Sequence, residues 1–162
     1  MQYYDIIARS YEELYKEEQL KKIKIIKKHL KVKPNYKLLD VGCGIGISTE
    51  PWRCKRYGID TSKELLRRAK KKNQIKYKLA PAEAIPYPNN FFDIVISVTS
   101  IQNFKDIEKA LREIKRVGKN KFVLTILKKS PKWESVDKLI RRYFRVNKII
   151  EEKKDFIYFC SN

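Results

Sequence analysis

The sequence predicts an α/β fold: a single doubly wound, mainly parallel seven-stranded sheet with helices on both faces and an antiparallel C-terminal edge hairpin. Strand-like apolar segments alternate with helical segments, which indicates a parallel sheet covered on both sides. Only "EKKD", residues 152–155, separates the last two strands, so they must form a hairpin. At 162 residues and 43% hydrophobic, the chain suits one domain, 1–162, with an N-terminal helical region, 1–34, and a sheet core, 35–162.

The N-terminal region predicts a helix over 10–31. Apolar residues recur there at helical intervals, and Ser10 followed by Glu13 matches an N-terminal capping pattern. Pro34 ends the segment.

The remaining elements continue the alternation of extended and helical periodicity. We expect strands at 36–41, 56–59, 75–79, 91–98, 121–127, 146–151 and 155–160. We expect helices at 47–52, from 61 or 62 to 72, at 106–117 and at 132–144. Pro51 interrupts the first of these helices, and Gly118 ends the third.

The net charge is +19, from 38 Lys and Arg against 19 Asp and Glu. Heat adaptation tends to raise Glu together with Lys, whereas the acids here do not match the bases. So large a surplus favours a polyanionic partner, of which nucleic acid is the commonest. A basic surface that serves only solubility is the alternative.

Cysteine and histidine are too scattered to build a metal site. Cys43, Cys54 and Cys160 lie outside any C-x-x-C pair, and His29 is the one histidine. This pattern predicts neither a disulfide framework nor bound zinc. No apolar run reaches the roughly 20 residues that cross a bilayer, and the acidic, polar N-terminus differs from a signal peptide. We therefore expect a cytoplasmic protein.

The segment "KLLDVGCGIGIS", residues 37–48, joins a strand to a glycine-rich turn. Glycines let a ligand approach the backbone closely, and the turn falls where such sheets bind ligands. The spacing G-x-G-x-G departs from the dinucleotide pattern G-x-G-x-x-G, and Asp40 would repel a phosphate but suit a cation. Asp60, at the end of the second strand, is placed to bind ribose hydroxyls. A ligand with ribose, positive charge and no phosphate is S-adenosylmethionine.

Three motifs in order then resemble a known family: "LLDVGCGIG", "YGIDTSKELLRRAKK" and "APAEAIPYPNNFFDIVISVTSIQNF". They are similar to the class I S-adenosylmethionine-dependent methyltransferases, in the branch that includes the ubiquinone and menaquinone biosynthesis methyltransferases. The segment "YYDIIARSYEELYKEEQ" is similar to the lid helix of that branch. The resemblance implies a Rossmann-like methyltransferase fold with S-adenosylmethionine as cofactor.

The resemblance also implies which positions would hold the cofactor. The ribose would contact Asp60 and Thr61, and the adenine would contact Ala82 and Glu83. The methionine part would contact the main chain at Ser97 and the residues Asp40, Gly42, Cys43, Gly44 and Gly46. Tyr11, or else Tyr3, would close over the cofactor. The family often has an Asp at position 81 that reaches the adenine amine, but here the residue is Pro81, so backbone groups and packing would hold the adenine.

Residues that the sequence lacks narrow the choice of methyl acceptor. Methylation at carbon 5 of a pyrimidine needs a thiolate nucleophile near the end of the fourth or fifth strand, and no cysteine lies there. The Asp of ribose 2′-oxygen enzymes and the Asn/Asp-Pro-Pro-aromatic motif of exocyclic-amine enzymes are absent, and "SVTSIQN", residues 97–103, stands in their place. Its polar residues either position the edge of a base or cap the short helix that follows. They are Ser97, Thr99, Ser100, Gln102 and Asn103.

Basic residues and a tryptophan are expected on the same rim, from the end of the fifth strand and from the last hairpin. They would supply phosphate contacts and a stacking surface for a flipped nucleotide. The set is Lys128, Lys129, Lys132, Trp133, Lys153 and Lys154, of which Trp133 is alternatively helix core.

These observations favour a methyltransferase that acts on a base nitrogen of rRNA or tRNA, with RNA as its partner. Small-molecule relatives often carry an added cap over the acceptor, and this chain has no room for one beyond its N-terminal helix. A small-molecule methyltransferase is the alternative. A third hypothesis, which Pro81 suggests, is a non-catalytic RNA-binding or scaffold protein with a degenerate cofactor site.

Overall fold

The computed structural model describes residues 2–70 and 74–162, without the side chains of residues 2–5, 7 and 8, and it has the expected α/β fold. A short 3-10 turn at Ile101–Asn103 follows the fourth strand. The main elements in chain order are α1 (Gln2–His29), β1 (Lys37–Val41), β2 (Lys55–Asp60), α2 (Lys63–Ala69), β3 (Ile75–Leu79), β4 (Phe92–Ser97), α3 (Ile107–Val117), β5 (Gly118–Leu127), α4 (Trp133–Tyr143), β6 (Arg145–Glu151) and β7 (Asp155–Ser161).

The seven strands form one sheet in the order β3-β2-β1-β4-β5-β7-β6. Strands β1 to β5 pair in parallel, whereas β7 lies between β5 and β6 and runs antiparallel to both. This confirms the mainly parallel sheet with an antiparallel hairpin at its edge. The strand order reverses between β1 and β4, and such a reversal opens a crevice at the carboxyl ends of the two strands.

Different helices cover the two faces of the sheet. On one face, Leu111 of α3 and Ile140 of α4 are fully buried in the larger core cluster. On the other face, Ile23 and Ile26 of α1 pack against β1, β4, β5 and β7. Helices on both faces, as expected, therefore shield the central strands from water and leave the strand ends accessible.

Helix α1 begins at Gln2 instead of residue 10, and its two halves differ in burial. Large apolar side chains of the N-terminal half are exposed, including Ile6, Tyr11 and Leu14. In the C-terminal half, Lys22 Nζ lies 3.0 Å from Asp155 Oδ1, and both side chains are fully buried. Because an unpaired buried charge is very unfavourable, this ion pair fixes the position of α1 on the sheet.

The prediction of a helix over 47–52 is wrong, because the chain forms hydrogen-bonded turns there. The amide of Glu50 donates to the carbonyl of Gly46 at 2.9 Å, but this i to i+4 bond is not continued. Pro51 has no amide hydrogen to extend the pattern. In addition, Ser48 and Thr49 use their hydroxyls to bind a buried carboxylate instead of facing solvent.

Within the described residues, no helix combines the length and the apolar character that spanning a bilayer requires.

Candidate functional site

A cavity of about 540 Å³ lies at the carboxyl ends of the parallel strands. Its volume is within the range of roughly 300–1,000 Å³ that is usual for small-molecule sites. A neighbouring cavity of about 530 Å³ shares Gly42 and Gly44 with it and adds Tyr11 and Cys43. Site residues predicted from separate motifs come together in the first cavity, namely Gly42, Gly44, Asp60, Thr61, Ala82, Glu83, Ser100 and Asn103.

The glycine-rich turn has a backbone that other residues rarely adopt. The φ angles are 77° at Gly42, 54° at Gly44 and 88° at Gly46. A Cβ atom at Gly42 would lie 2.7 Å from the Cβ of Ser100, and one at Gly46 would lie 2.3 Å from the hydroxyl oxygen of Tyr77. Gly42 and Gly44 therefore expose bare backbone to the cavity, whereas Gly46 is required for packing beneath it.

Asp40 lies beneath the turn and is completely buried. Its Oδ2 accepts hydrogen bonds from the hydroxyls of Ser48 at 2.6 Å and Thr49 at 2.7 Å, whereas Oδ1 has no hydrogen-bond partner among the described residues. Burial raises the pKa of Asp40 to about 6, although the two hydroxyl donors oppose the rise. A buried carboxylate with an unpartnered oxygen is complementary to a cation rather than to a phosphate.

Asp60 links the turn to the start of α2. The amide of Gly44 donates to its Oδ2 and the amide of Ser62 to its Oδ1, both at 2.9 Å. A carboxylate offers about four acceptor positions, so each oxygen keeps one lone pair for another donor. Because Asp60 also lines the cavity, those free positions are accessible to the hydroxyls of a ligand.

The loop after β3 forms the opposite wall of the cavity. Pro81, Ala82 and Glu83 all line it, as the resemblance implied for the last two. Glu83 Oε1 accepts a hydrogen bond from the amide of Asp106 at 3.1 Å, which ties the loop to the N-terminus of α3. No side chain replaces the carboxylate that the family often has at position 81, so this wall offers mainly backbone and apolar surface.

Arg116 of α3 holds the same loop from behind, and the sequence analysis did not identify it. Its guanidinium donates to the carbonyl of Ile85 and to the carbonyl of Tyr87, both at 2.9 Å, and pairs with Glu113 at 2.7 Å. The amide of Ile85 in turn donates to Glu113 at 2.9 Å. A helix pattern alone shows only a polar face at Arg116, so the contact becomes visible only once the loop is folded.

Two of the residues predicted to position the acceptor are used mainly for structure. Ser97 is fully buried and its hydroxyl donates to the carbonyl of Val41 at 3.0 Å, so its side chain does not line the cavity. Ser100 does line the cavity, and its hydroxyl donates to the carbonyl of Gly42 at 3.0 Å. The Ser97 hydroxyl therefore ties the end of β4 to the end of β1, and the Ser100 hydroxyl ties the loop after β4 to the glycine-rich turn.

Gln102 and Asn103 lie in the 3-10 turn Ile101–Asn103. Gln102 donates to the carbonyl of Thr99 at 3.1 Å and does not line the cavity, whereas Asn103 is exposed on the cavity wall. Ser100 is at the N-terminal cap position but makes no capping bond through its side chain. The sequence left open whether these residues position the edge of a base or cap the short helix. The side chain of Ser100 does not cap the helix.

Thr99 has the left-handed backbone, with φ of 54°, at the floor of the cavity. A branched residue in this conformation is unusual and is maintained only by surrounding contacts. Its hydroxyl donates to Asp155 at 2.7 Å and accepts from Lys22 at 3.0 Å, and its amide donates to Thr125 at 2.7 Å. The buried ion pair that anchors α1 therefore also determines the shape of the cavity floor.

Tyrosines of α1 approach the cavities from above. Tyr11 lines the second cavity and remains 71% exposed, while Tyr15, one helical turn further, lines both cavities. Burial and the nearby carboxylates raise the pKa of Tyr15. The side chain of Tyr3 lies outside the described residues. The sequence analysis missed Tyr15, although its i+4 spacing from Tyr11 places both on one helix face.

The lysines expected on the rim fall into two groups. Lys128 Nζ lies 2.8 Å from Glu151 Oε1, and Lys154 pairs with Glu18 of α1. The other two hairpin and loop lysines, Lys129 and Lys153, are exposed and form no ion pair within the described chain. Part of the expected rim charge is therefore neutralised inside the protein.

Trp133 packs against the core at the start of α4. Its ring centroid lies 5.2 Å from that of Phe156, and the side chain is half-buried against the larger core cluster. Lys132, the residue before it, donates to the carbonyl of Gln102 at 3.1 Å. These contacts agree with the alternative that Trp133 is helix core.

The sequence profile of a methyltransferase domain family matches residues 39–126, more than half of the chain. The chain belongs to the methyltransferase domain family. The matched segment of this methyltransferase domain runs from β1 to β5 and contains the glycine-rich turn, Asp60 and the loop after β3.

Individual relatives agree with this assignment. An uncharacterized protein of Methanocaldococcus jannaschii, MJ1252, is 35% identical over 129 residues, or 77% of this chain and 50% of that protein. The ubiquinone/menaquinone biosynthesis C-methyltransferase UbiE of Burkholderia vietnamiensis is 30% identical over 124 residues, or 69% of this chain and 51% of that enzyme. The chain thus spans about half the length of the curated relatives it matches.

A solved structure shows the same fold. The crystal structure of a SAM-dependent methyltransferase from Aquifex aeolicus superimposes with a TM-score of 0.71 at 22% identity, and the match covers 86% of this chain and 88% of that one. At this level of identity the likeness concerns the Rossmann-like methyltransferase fold alone.

The residues present in this methyltransferase domain fit S-adenosylmethionine, the cofactor that the family implies. The unpartnered Oδ1 of buried Asp40 supplies negative potential beneath the turn, which suits a sulfonium or ammonium group. Gly42 and Gly44 line the cavities with backbone alone, and each carboxylate oxygen of Asp60 retains an acceptor position. No group of three or more metal-ligating side chains occurs within residues 2–70 and 74–162.

Proposed function

We propose that the protein is an S-adenosylmethionine-dependent methyltransferase whose acceptor is a base nitrogen of structured RNA, either rRNA or tRNA, in the cytoplasm. The net charge of +19 is the observation that carries the RNA acceptor. A surplus of that size attracts polyanions over distances well beyond direct contact.

Cofactor binding divides among the cavity walls. The turn Gly42 to Gly46, with Cys43 and the main chain near Ser97, holds the methionine part above Asp40. Asp60 and Thr61 bind the ribose, and the loop with Ala82 and Glu83 encloses the adenine. Tyr11 and Tyr15 close over the cofactor from α1. The support for this division is that residues from separate motifs line two cavities that share Gly42 and Gly44.

Methyl transfer requires alignment more than acid or base chemistry. The acceptor nitrogen must lie in line with the methyl carbon and the sulfur of the cofactor, and holding that geometry lowers the barrier by removing rotational and translational freedom. Asn103 is an exposed polar residue on the cavity wall, and Thr99 lies at the cavity floor. Ser100, Gln102 and Ser97 hold the surrounding backbone through hydrogen bonds to carbonyls. Asn103 carries free donor and acceptor atoms suited to a base edge.

Lysines at the rim of the cofactor cavity would bind the phosphates of the RNA. Lys129 and Lys153 are free to make them, while Lys128, Lys132 and Lys154 would first exchange their internal partners. Trp133 would serve as a stacking surface only through the face of its ring that does not pack on Phe156.

A small-molecule acceptor is the second candidate. The relative named a ubiquinone/menaquinone biosynthesis C-methyltransferase favours it, since that name specifies a quinone pathway. Under this alternative, activity would be indifferent to RNA and to salt. A non-catalytic RNA-binding protein is the third candidate, and it would bind RNA without binding the cofactor.

The test is transfer of radiolabelled methyl from S-adenosylmethionine to total RNA from a strain that lacks the gene. We expect label that nuclease treatment removes, and digestion to nucleosides then identifies the methylated atom. An organic-solvent extract of the same cells is the parallel substrate. Label in that extract and none in RNA would overturn the RNA acceptor in favour of a small molecule, and RNA binding without cofactor binding would overturn enzymatic function.

A further inference from the structure

A second charged region lies at the opposite end of the sheet, where the parallel strands begin. A cavity of about 700 Å³ opens there between the last turn of α1, the start of β5 and the hairpin of β6 and β7. The distance along β5 from Lys121 in this cavity to Leu127 at the cofactor end is roughly 20 Å, at about 3.3 Å per residue. We call it the lysine groove, after the lysines that line it: Lys27, Lys28, Lys31, Lys121 and Lys148.

The charge of the lysine groove is not compensated. Asp and Glu are absent from the side chains that line it. Across the described ranges 2–70 and 74–162, none of its five lysines lies within ion-pair distance of a carboxylate. This distinguishes the groove from the rim of the cofactor cavity, where Lys128 and Lys154 are paired.

Three of the groove lysines contact groups other than carboxylates. Lys148 Nζ lies 3.2 Å from Nδ1 of His29, and Lys27 Nζ donates to the carbonyl of Pro51 at 2.5 Å. Lys121 Nζ lies 5.3 Å above the ring of Tyr36. Such contacts orient the ammonium groups but leave their charge available to an anion.

The helix dipole explains only part of this arrangement. Cations are favourable in the last turn of a helix, and that accounts for Lys27 and Lys28 at the end of α1. It does not account for Lys121 on β5 or Lys148 on β6, which the sheet order brings to the same place from distant parts of the sequence. The convergence of separate elements indicates a site rather than a helix-capping effect.

Neutral hydrogen-bond donors accompany the lysines. The side chains of Asn120, Asn147 and Ser161 line the same groove. Lys, Asn and Ser side chains are typical of contacts to nucleic-acid phosphates and sugars, which position a nucleic acid without reading its sequence. A single small anion would need two or three donors, whereas this groove spreads its donors over an extended surface.

We propose that the lysine groove binds phosphate groups of the RNA substrate. The RNA backbone is held at the amino end of the sheet while another part of the same molecule presents its base at the carboxyl end. This inference rests on the RNA acceptor proposed above. It also implies that methylation, unlike phosphate binding at the groove alone, requires an RNA long enough to reach both ends.

The experiment measures binding of fluorescein-labelled oligouridine by anisotropy across a range of KCl concentrations. The variant is Lys28→Gln/Lys31→Gln/Lys148→Gln, all at exposed positions. The matched control is Lys63→Gln/Lys109→Gln/Lys138→Gln, which removes the same charge from exposed positions on other surfaces. Each lost phosphate contact lowers the slope of log affinity against log salt by roughly 0.7 to 0.9. We expect the groove variant to lose about 2 from the slope and the control to keep the wild-type value.

Two further readouts keep the outcomes separate. Affinity for S-adenosylmethionine, measured by calorimetry, should be unchanged in the groove variant and shows that it is folded. Equal slopes for the groove variant, the control and the wild type would overturn the groove while leaving RNA methylation intact. Tighter binding of polyglutamate than of oligouridine would overturn RNA as the occupant in favour of an acidic protein. Groove-dependent RNA binding without any RNA methylation would uphold the groove and reject the proposed acceptor.

Discussion

The two ends of the sheet differ in charge and in the chemistry of their backbone. At the carboxyl end, left-handed glycines, the buried Asp40 and the bonded Asp60 build a cavity with acidic groups and bare amides. At the amino end, lysines from three elements surround a groove without a carboxylate. The first suits a small cationic ligand with hydroxyls, and the second suits phosphates.

The comparison shows that the positive charges of the protein are neutralised to different extents at the two ends of the sheet. At the rim of the cavity, Glu18 and Glu151 neutralise nearby lysines. This pairing lowers the repulsion between the rim and a cationic ligand, since like charges repel at short range, while Lys129 and Lys153 stay exposed there without an ion pair among the described residues. The two surfaces therefore differ in charge, since the rim of the cavity is partly neutralised and the lysine groove is not.

Replacement of Lys22, the anchor of the helix that spans both ends, should have the largest effect. Lys22→Met removes the cation that neutralises the buried Asp155 and leaves it the hydroxyl donors of Thr99 and Thr125. We therefore expect the free energy of unfolding to fall by about 3–5 kcal/mol. Urea unfolding measures this. Lys21→Met, at the exposed neighbouring position, is the control, and equal stability of the two variants would contradict the anchoring role.

A methyl group in the glycine-rich turn should separate the functions of the two ends. In Gly42→Ala the new Cβ would lie 2.7 Å from the Cβ of Ser100, in a conformation that costs roughly 1–2 kcal/mol for a residue with a side chain. We expect affinity for S-adenosylmethionine to fall at least about tenfold, with oligouridine binding unchanged. Calorimetry and anisotropy on the same sample measure the two. A parallel loss of both affinities would show that the ends are not independent.

The pH dependence of stability should differ in sign between the ends. The pKa of Asp40 is raised from 3.8 to about 6, mainly by burial, so the folded state binds more protons than the unfolded state between these values. Stability therefore falls as pH rises from about 4 to 6. Asp40→Asn should be more stable than the wild type at neutral pH, by up to about 3 kcal/mol. That difference should vanish below about pH 4, near the ordinary pKa of an Asp.

Asp93, near the amino end, is the matched control for this prediction. Burial would raise its pKa, but the amide of Lys37 and the ammonium of Lys119 outweigh burial and lower the pKa overall. Its stabilising contribution is present above the ordinary pKa of an Asp and is lost as pH falls through the lowered value. Asp93→Asn should therefore be less stable than the wild type at neutral pH. If urea unfolding gave both variants the same sign, the assigned environments would be wrong.

The rim lysines should give the smallest effect. Lys129→Gln/Lys153→Gln removes two exposed charges beside the cavity, and we expect the salt slope of oligouridine binding to fall by about 1.5 if both contact phosphates. This is less than the loss expected from the lysine groove. A loss at the rim larger than at the groove would move the main phosphate contacts to the cofactor end.

The sequence was sufficient for the features that depend on local pattern. Alternating strands and helices predicted the sheet and its C-terminal hairpin, and the motifs with Gly42, Gly44 and Asp60 predicted residues that line the cavity, with Asp40 and Gly46 beneath it. These succeed because backbone conformation at a turn and burial of a strand depend on residues that lie close together in the chain.

The sequence did not predict the features that depend on contacts between residues far apart in the chain. Lys22 is one of many lysines in α1, and only the folded sheet shows that it is buried against Asp155. The turn at 47–52 resembled a short helix because the buried carboxylate that binds Ser48 and Thr49 could not be seen. The lysine groove likewise requires β5 and β6 to meet the end of α1.

The most direct measurement is a pair of titrations of the wild-type protein, with S-adenosylmethionine and with oligouridine, over the same series of KCl concentrations. Cofactor affinity should depend little on the KCl concentration, because the ligand carries a single net positive charge, whereas RNA affinity should fall steeply as counterions compete. Flat curves for both ligands would contradict a phosphate-binding surface. Steep curves for both would contradict the separation of the two ends.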